Sequence, residues 1–240
     1  MLKKFSTLIK KQAFKPSGFF GILINPYFFS RRAIFREVDF FSQTFTGKTI
    51  DIGCGTKPYR DLFHVSDYVG IEVADSYQKF KSHADVFYDG TIFPFQSGFF
   101  DHAISFQVLE HVVDANLFIS EVSRLLRSDG TLLLSVPFIW EEHEVPNDRL
   151  RYTSYGICEL LEKHGFKVLK IKKLCVGMEA LIQKATSIIT ASVANKPKLV
   201  KYVTQLMVVA PIHIVFYILI MILPKYNRIY LDNMVLAVKN

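Results

Sequence analysis

The chain has 240 residues, half of them hydrophobic, which suits one domain with a sizeable core and an insertion. Its net charge is +7, but Lys3, Lys4, Lys10, Lys11, Lys15, Arg31, Arg32 and Arg36 all precede the first acid, Glu37, so the first 36 residues carry +8 and the remainder sums to −1. That asymmetry excludes a globally basic nucleic-acid binder and leaves a basic arm suited to anionic headgroups or phosphate-bearing substrates, or a solvated, frayed terminus.

The first 40 residues form this arm, which is rich in Phe; Lys10 and Lys11 interrupt any apolar run, so no secretory signal is expected. From there short β-rich runs alternate with helical patterns, as in a parallel α/β sheet. Strands are expected at Lys48–Ile52, Tyr68–Val73, Ala84–Tyr88, Asp101–Phe106, Thr131–Val136, Phe166–Leu174 and Asn233–Val238. Asp114 is the expected N-cap of a helix with an apolar stripe of Phe118, Val122, Leu125 and Leu126, closed by the turn Ser128-Asp129-Gly130. A second helix is expected over Ser154–His164, with Gly165 as its C-terminal glycine. The implied division is an arm at 1–40, an α/β core at 41–175, a hydrophobic helical insertion at 176–231 and a final core strand at 232–240. Three cysteines (Cys54, Cys158 and Cys175), odd in number and widely spaced, suggest neither disulfides nor zinc, and a reducing cytoplasm fits them.

The strongest local signal is Thr49-Ile50-Asp51-Ile52-Gly53-Cys54-Gly55-Thr56, a strand carrying an acid into a glycine turn. Glycines there let a backbone approach a ligand closely. A dinucleotide fingerprint would need a third glycine where Pro58 stands, which disfavours NAD or FAD. Glu72 ends the second strand 21 residues after Asp51, where a carboxylate can accept hydrogen bonds from ribose hydroxyls. Asp89, followed by Gly90, ends the third strand and suits an adenine amino group, with Val73 and Ile92 against the ring. Singly, Asp51 is as well explained as a fold-stabilising acid and Glu72 as an exposed strand end; one nucleoside ligand explains them together.

These segments, with Phe93-Pro94-Phe95, Phe100-Asp101, Val108-Leu109-Glu110-His111 and the run Glu121 to Gly130, resemble in order and spacing the class I S-adenosylmethionine (SAM)-dependent methyltransferases of the small-molecule branch, over residues 47–166. The run His143 to Thr153 is similar to a segment of bacterial, envelope-type members. The resemblance implies a Rossmann-like, seven-stranded, mostly parallel sheet with an antiparallel last strand. It implies that Gly53, Cys54 and Gly55 line the methionine moiety, that Asp51 fixes its ammonium, that Glu72 holds the ribose and Asp89 the adenine beside Gly90, and that Phe106 and Gln107 flank the sulfonium. Lys57 departs from the pattern, standing where many members have a third glycine.

Methyl transfer from a sulfonium needs alignment first and a base only if the acceptor must lose a proton. The candidates are His143, His111, Asp148 and Tyr152, with His143 preferred, although a loop histidine more often simply packs. No metal is expected, since Glu141, Glu142, His143 and Glu144 are neighbours in one loop and do not converge on an ion. Leu206–Leu223 carries no formally charged residue and is nearly long enough to span a bilayer. A single span would put the last strand on the wrong side of the membrane, so a hairpin of Met178–Val193 and Val200–Leu223 dipping into the cytoplasmic leaflet is expected, with a buried helix or homodimer interface as the alternative. Pro211 and His213 favour a kink. The expected function is methylation of a small-molecule or lipid-linked acceptor at the inner face of the cell membrane. The alternative is a non-catalytic SAM-fold scaffold binding lipid or a partner enzyme.

Overall fold

A computed structural model describes residues 12–74, 82–224 and 226–240. The chain divides into two compact units, one of residues 1–36 with 174–231 and one of residues 37–173 with 232–240.

The second unit holds most of the sheet. Its strands are β1 (Lys48–Ile52), β2 (Asp67–Val73), β3 (Val86–Tyr88), β4 (Phe100–Phe106), β5 (Leu126–Pro137), β6 (Phe166–Val176) and β7 (Tyr230–Lys239), the last two running on into the other unit. Their order across the sheet is β3-β2-β1-β4-β5-β7-β6. β1 to β5 pair in parallel, and β7 enters antiparallel against β5, Thr131 facing Val238 and Pro137 facing Asp232. The expected Rossmann-like sheet is therefore the one found. Ile50, Ile52, Ala103, Ile104, Leu132, Leu133 and Leu134 are all buried. Near-continuous burial along central strands is what a parallel sheet covered on both faces demands.

After β3 the chain crosses to the far side of β1, so the strand order reverses between β1 and β4. That reversal opens a crevice outside the carboxyl ends of the strands, where ligands of open α/β sheets bind.

Helix α1 (Ala115–Leu125) follows β4. Asp114 caps it, accepting from the amides of Asn116 and Leu117 at 2.9 and 3.0 Å. Phe118, Val122 and Leu125 face the core as expected. The turn Ser128-Asp129-Gly130 does not close the helix. It lies inside β5, which begins at Leu126, and Asp129 takes φ of 60° where the pairing to β4 shifts register. A left-handed residue in a strand is the mark of a bulge, which the local turn chemistry resembles. Helix α2 (Ser154–Lys163) is capped by the Thr153 hydroxyl, and Gly165 takes φ of 80° behind it.

Apart from the ends of β6 and β7, the regular structure of the first unit is helical among the described residues: α3 (Gly18–Ile24), the start of α4 (Phe28–Ser42), α5 (Met178–Ser192), α6 (Lys198–Thr204) and α7 (Ala210–Leu219), the last two joined by a π-helical turn at Gln205–Val209. Gln183 is fully buried and joins two of these, its Oε1 accepting from the Phe29 amide at 3.0 Å and its Nε2 donating to Pro26 O at 2.9 Å. His213 is buried between the Phe28 and Phe29 rings, with its Nε2 3.0 Å from Thr186 Oγ1. Pro211 cannot donate and its ring would strike the carbonyl four residues back. The helix answers with the π turn, in which the Ala210 amide reaches back to Gln205 O.

The described part of the arm is therefore packed helix rather than a free tail. Phe28 and Phe29 are buried, and Arg31 and Arg32 lie over the rings of Phe14 and Tyr217. Lys15 is buried as well. Lys3, Lys4, Lys10 and Lys11 lie outside the described residues.

Candidate active site

The site is built at the carboxyl ends of β1, β2, β3 and β4. Asp51 sits in β1 opposite Gly70 of β2 on one side and Ile104 of β4 on the other. Glu72 lies two residues further along β2, opposite Phe87 of β3, and Asp89 follows β3 by one residue. Three carboxylates thus stand at the same end of three adjacent strands.

The turn after β1 ties them together. Gly53 takes φ of 72° and Gly55 takes φ of 49°. A methyl group on Gly53 would stand 2.3 Å from a Val108 methyl, whereas one on Gly55 would meet nothing within 4 Å. The first glycine is required by packing and the second opens onto free space. The Gly55 amide donates to Glu72 Oε2 at 3.0 Å, and the Val73 amide to Glu72 Oε1 at 3.2 Å. Each Glu72 oxygen keeps a lone pair for a further donor.

Lys57, the departure from the glycine pattern, takes φ of 53°, the left-handed conformation a glycine would adopt without cost. Its ammonium pairs with Asp85, which also accepts from the Gly70 amide at 2.7 Å. Gly70 itself leaves room for the lysine chain, since a Cβ there would fall 2.3 Å from Lys57 Cε. The ion pair holds a strained residue where other chains use glycine.

Asp51 is 5% exposed, and burial pushes its pKa up to about 7 against the opposing pull of a 2.6 Å hydrogen bond from the Tyr68 hydroxyl. A carboxylate in this state gains most from an arriving cation. Burial also pushes the Cys54 thiol up to about 12, so it contributes backbone and bulk rather than reactivity. Asp89 is exposed, and one of its oxygens accepts from the amide and hydroxyl of Thr91, which hold its pKa below the usual range. Gly90 takes φ of 90°, and a Cβ there would lie 3.7 Å from the Val73 methyls. Ile92 is well exposed.

At the end of β4, Phe106 packs edge-on against Tyr59 with centroids 5.4 Å apart. Gln107 has φ of 57°, unusual for a residue other than glycine, and its Nε2 donates to Ser135 Oγ at 3.2 Å. Such outliers concentrate where a ligand site over-determines the backbone.

Beyond them lies a second cluster. His111, just after β4, and His143, in the loop after β5, stack edge-to-face with centroids 5.0 Å apart. Asp148 is bonded by both terminal nitrogens of Arg151, by the His143 amide at 2.9 Å, and lies 3.0 Å from His143 Nδ1. The Arg151 guanidinium holds its carboxyl far below the ordinary range. Asp148 is therefore suited to orient His143 and is a poor base. Tyr152 packs on the core, and burial raises its hydroxyl pKa.

Tyr68, Asp85 and Glu110 were not among the sequence candidates. Tyr68 and Asp85 act through partners distant in sequence, and no local pattern marks them. Glu110 did lie in a recognised motif, but its complete burial, with both carboxylate oxygens unpartnered, is a tertiary fact.

A family profile described as "Methyltransferase domain" matches residues 50–134, about a third of the chain, from β1 into β5. Over those residues the sequence matches a methyltransferase domain. The donor set fits S-adenosylmethionine: a buried acid for the ammonium, a paired-acceptor acid for a diol, and an open glycine between them. The chain is similar in fold to a putative sarcosine dimethylglycine methyltransferase from Galdieria sulphuraria, with 14% identity, 88% of each chain covered and a TM-score of 0.54. Phosphoethanolamine N-methyltransferase 2 from Haemonchus contortus gives 15% identity, 97% of this chain, 57% of that one and a TM-score of 0.55. The [4+2]-cyclase SpnF gives 19% identity, 85% and 80% coverage and a TM-score of 0.52. No curated protein sequence matches the chain. Identities this low speak to fold alone, and the presence of a cyclase among the neighbours shows why chemistry must be argued from the site.

Proposed function

We propose that the methyltransferase domain binds SAM across the ends of β1 to β4 and transfers its methyl group to a small or lipid-linked acceptor at the inner face of the cell membrane. The carrying observation is the turn at Gly53–Gly55, where an amide ties Glu72 to open space beside the buried Asp51. Asp51 holds the methionine ammonium. Glu72 accepts from the ribose hydroxyls, and Asp89 from the adenine amino group beside Gly90. Gly53, Cys54 and Gly55 present backbone to the methionine chain, and Phe106 and Gln107 flank the reacting centre. SAM supplies an activated methyl group, so the protein's task is alignment. His143, oriented by Asp148, or His111 beside it takes the acceptor's proton where one must leave.

The membrane half of the proposal rests on Lys198–Leu219. Within this 22-residue helical stretch the most apolar 18-residue window has a mean hydropathy of 1.8, and only 17% of that window is buried. At about 1.5 Å per residue the whole stretch is roughly 33 Å long, near the thickness of a bilayer core. Val209, Ala210 and His213 point inward while Leu206, Met207, Val215 and Ile218 are exposed. Contiguous exposed apolar surface of this kind marks an interaction site. The chain enters this segment from β6 and returns through β7 of the same sheet, which supports a dip rather than a single crossing.

Flotation with anionic phospholipid vesicles tests the surface: the native chain floats, and Met207→Glu with Ile218→Glu does not. A native chain that remains in the unbound fraction contradicts the membrane proposal. Incubating lipid extracts with labelled SAM then names the acceptor by its product.

A further inference from the structure

Glu110, His111 and His143 offer ligand atoms that all lie within 4.8 Å of one another. They come from two loops, after β4 and after β5, and not from the run of acids around His143. Glu110 has no exposed surface, and neither of its carboxylate oxygens has a hydrogen-bond partner. A buried carboxyl left this way loses several favourable contacts that it had in water, so its retention calls for a partner. Arg151 is nearby, but its two terminal nitrogens are committed to Asp148.

The two histidines are already set as ligands. His143 Nδ1 faces Asp148 at 3.0 Å and Glu141 O at 3.2 Å, which leaves Nε2 free. His111 Nδ1 lies 3.2 Å from Asn147 O, and its Nε2 lies 3.9 Å from Glu110 Oε1. A histidine that gives one nitrogen to a carboxylate or carbonyl has its other nitrogen fixed in tautomer and direction for a metal. The amides of Arg149 and Leu150 both donate to Glu110 O, at 2.8 and 3.2 Å, so the loop carrying Asn147 and Asp148 is fastened to the strand end that carries Glu110 and His111.

We infer that Glu110, His111 and His143 form a divalent transition-metal site with at least one open position, of the kind Zn2+ or Mn2+ fills. Two imidazoles and a carboxylate with a vacant position are a known catalytic zinc set, and the same N/O donors suit manganese. An ion at about 2.1 Å from each ligand would draw the donor atoms in to roughly 3.4 Å apart, which modest side-chain rotation achieves. The use of the site rests on the methyl-transfer proposal: it lies a few residues past Gln107, so its open position would take an oxygen of the acceptor.

The test uses the full chain, stripped with a chelator and desalted, titrated separately with Zn2+ and Mn2+, with the visible spectrum of bound Co2+ reporting coordination. Each sample is also titrated with S-adenosylhomocysteine. The expected result is one equivalent of at least one ion. Binding should weaken ten-fold or more in His143→Ala and in Glu110→Gln, fall by about ten- to a hundred-fold in Asp148→Asn through loss of orientation, and remain unchanged in Cys54→Ser. His143 is partly exposed on a loop, so its variant keeps the test valid if Glu110→Gln misfolds. No saturable uptake, uptake indifferent to His143→Ala, or uptake lost in Cys54→Ser overturns the inference. A chain that binds S-adenosylhomocysteine but no ion refutes the metal site alone. A chain that binds the ion but not the nucleoside supports the metal site and refutes the methyltransferase assignment.

Discussion

Replacing each glycine of the β1 turn by alanine separates the packing role of one from the proposed ligand-facing role of the other. At Gly53 the new methyl would lie 2.3 and 2.8 Å from the two Val108 methyls and 3.1 Å from its Cβ, at φ of 72°. The left-handed backbone costs an L-residue about 1–2 kcal/mol. Displacing a β-branched neighbour that cannot simply swing aside adds about 1–3 kcal/mol. The total is about 2–5 kcal/mol, a large share of a domain's stability. At Gly55, φ is 49° and the methyl meets nothing within 4 Å, so the backbone term stands alone at about 1–2 kcal/mol and is partly offset by the stiffer unfolded chain. Urea unfolding of the two variants should therefore differ by about 1–3 kcal/mol. Calorimetric titration with S-adenosylhomocysteine should show the reverse emphasis: Gly55→Ala stays folded yet binds weakly, because its methyl occupies the open space above the turn. Adding Val108→Ala to Gly53→Ala should recover part of the lost stability through a coupling that distant pairs lack. Equal destabilisation by the two single substitutions, or no recovery in the double variant, would refute the reasoning.

Four further outcomes follow from the structure. Asp51, with a pKa of about 7, is ionised in about one-tenth of molecules at pH 6 and nine-tenths at pH 8, so affinity for S-adenosylhomocysteine should rise roughly ten-fold from pH 6 to pH 8 in wild type and vary less in Asp51→Asn. The folded value lies above the ordinary 3.8, so the stability this group contributes is full below pH 3.8 and is lost as pH rises through 7; urea midpoints of Asp51→Asn should lack that decline. Arg124 bonds Glu121 through Nε and Nη2, and also the carbonyls of Phe93 and Phe95, while Glu121 accepts from the Phe93 amide; Arg124→Ala should lower unfolding stability by about 1–3 kcal/mol in chemical denaturation by leaving those acceptors unmatched. Asp148→Asn should reduce turnover more than affinity for S-adenosylhomocysteine, measured by steady-state kinetics and calorimetry, because it orients His143 rather than the nucleoside.

The fold was legible because its signals are local. The period and composition of the strands, the Asp114 cap and Gly165 all act within a few residues of themselves. The β5 bulge was misread because Ser128-Asp129-Gly130 carries the same turn chemistry whether it ends a helix or kinks a strand, and only the pairing with β4 distinguishes the two. The three carboxylates at one end of β1, β2 and β3 were legible by their spacing on successive strands. Tyr68 and Asp85 were not, since each matters through a partner that the sheet register brings alongside. Glu110 was visible as part of a motif, but an acid reads as solvated until its burial is known. The Phe-rich arm read as a surface segment because its helical pattern is weak, while its partners Gln183 and His213 lie more than 150 residues away.

The central claim is that a nucleoside lies across the carboxyl ends of β1, β2 and β3. A crystal structure of the chain with S-adenosylhomocysteine tests it directly. The account predicts ribose oxygens within hydrogen-bonding distance of the Glu72 carboxylate, the amino-acid nitrogen toward Asp51 and the chain of the ligand over Gly55. A nucleoside seated on another face, with Glu72 still bonded only to the amides of Gly55 and Val73, would contradict it.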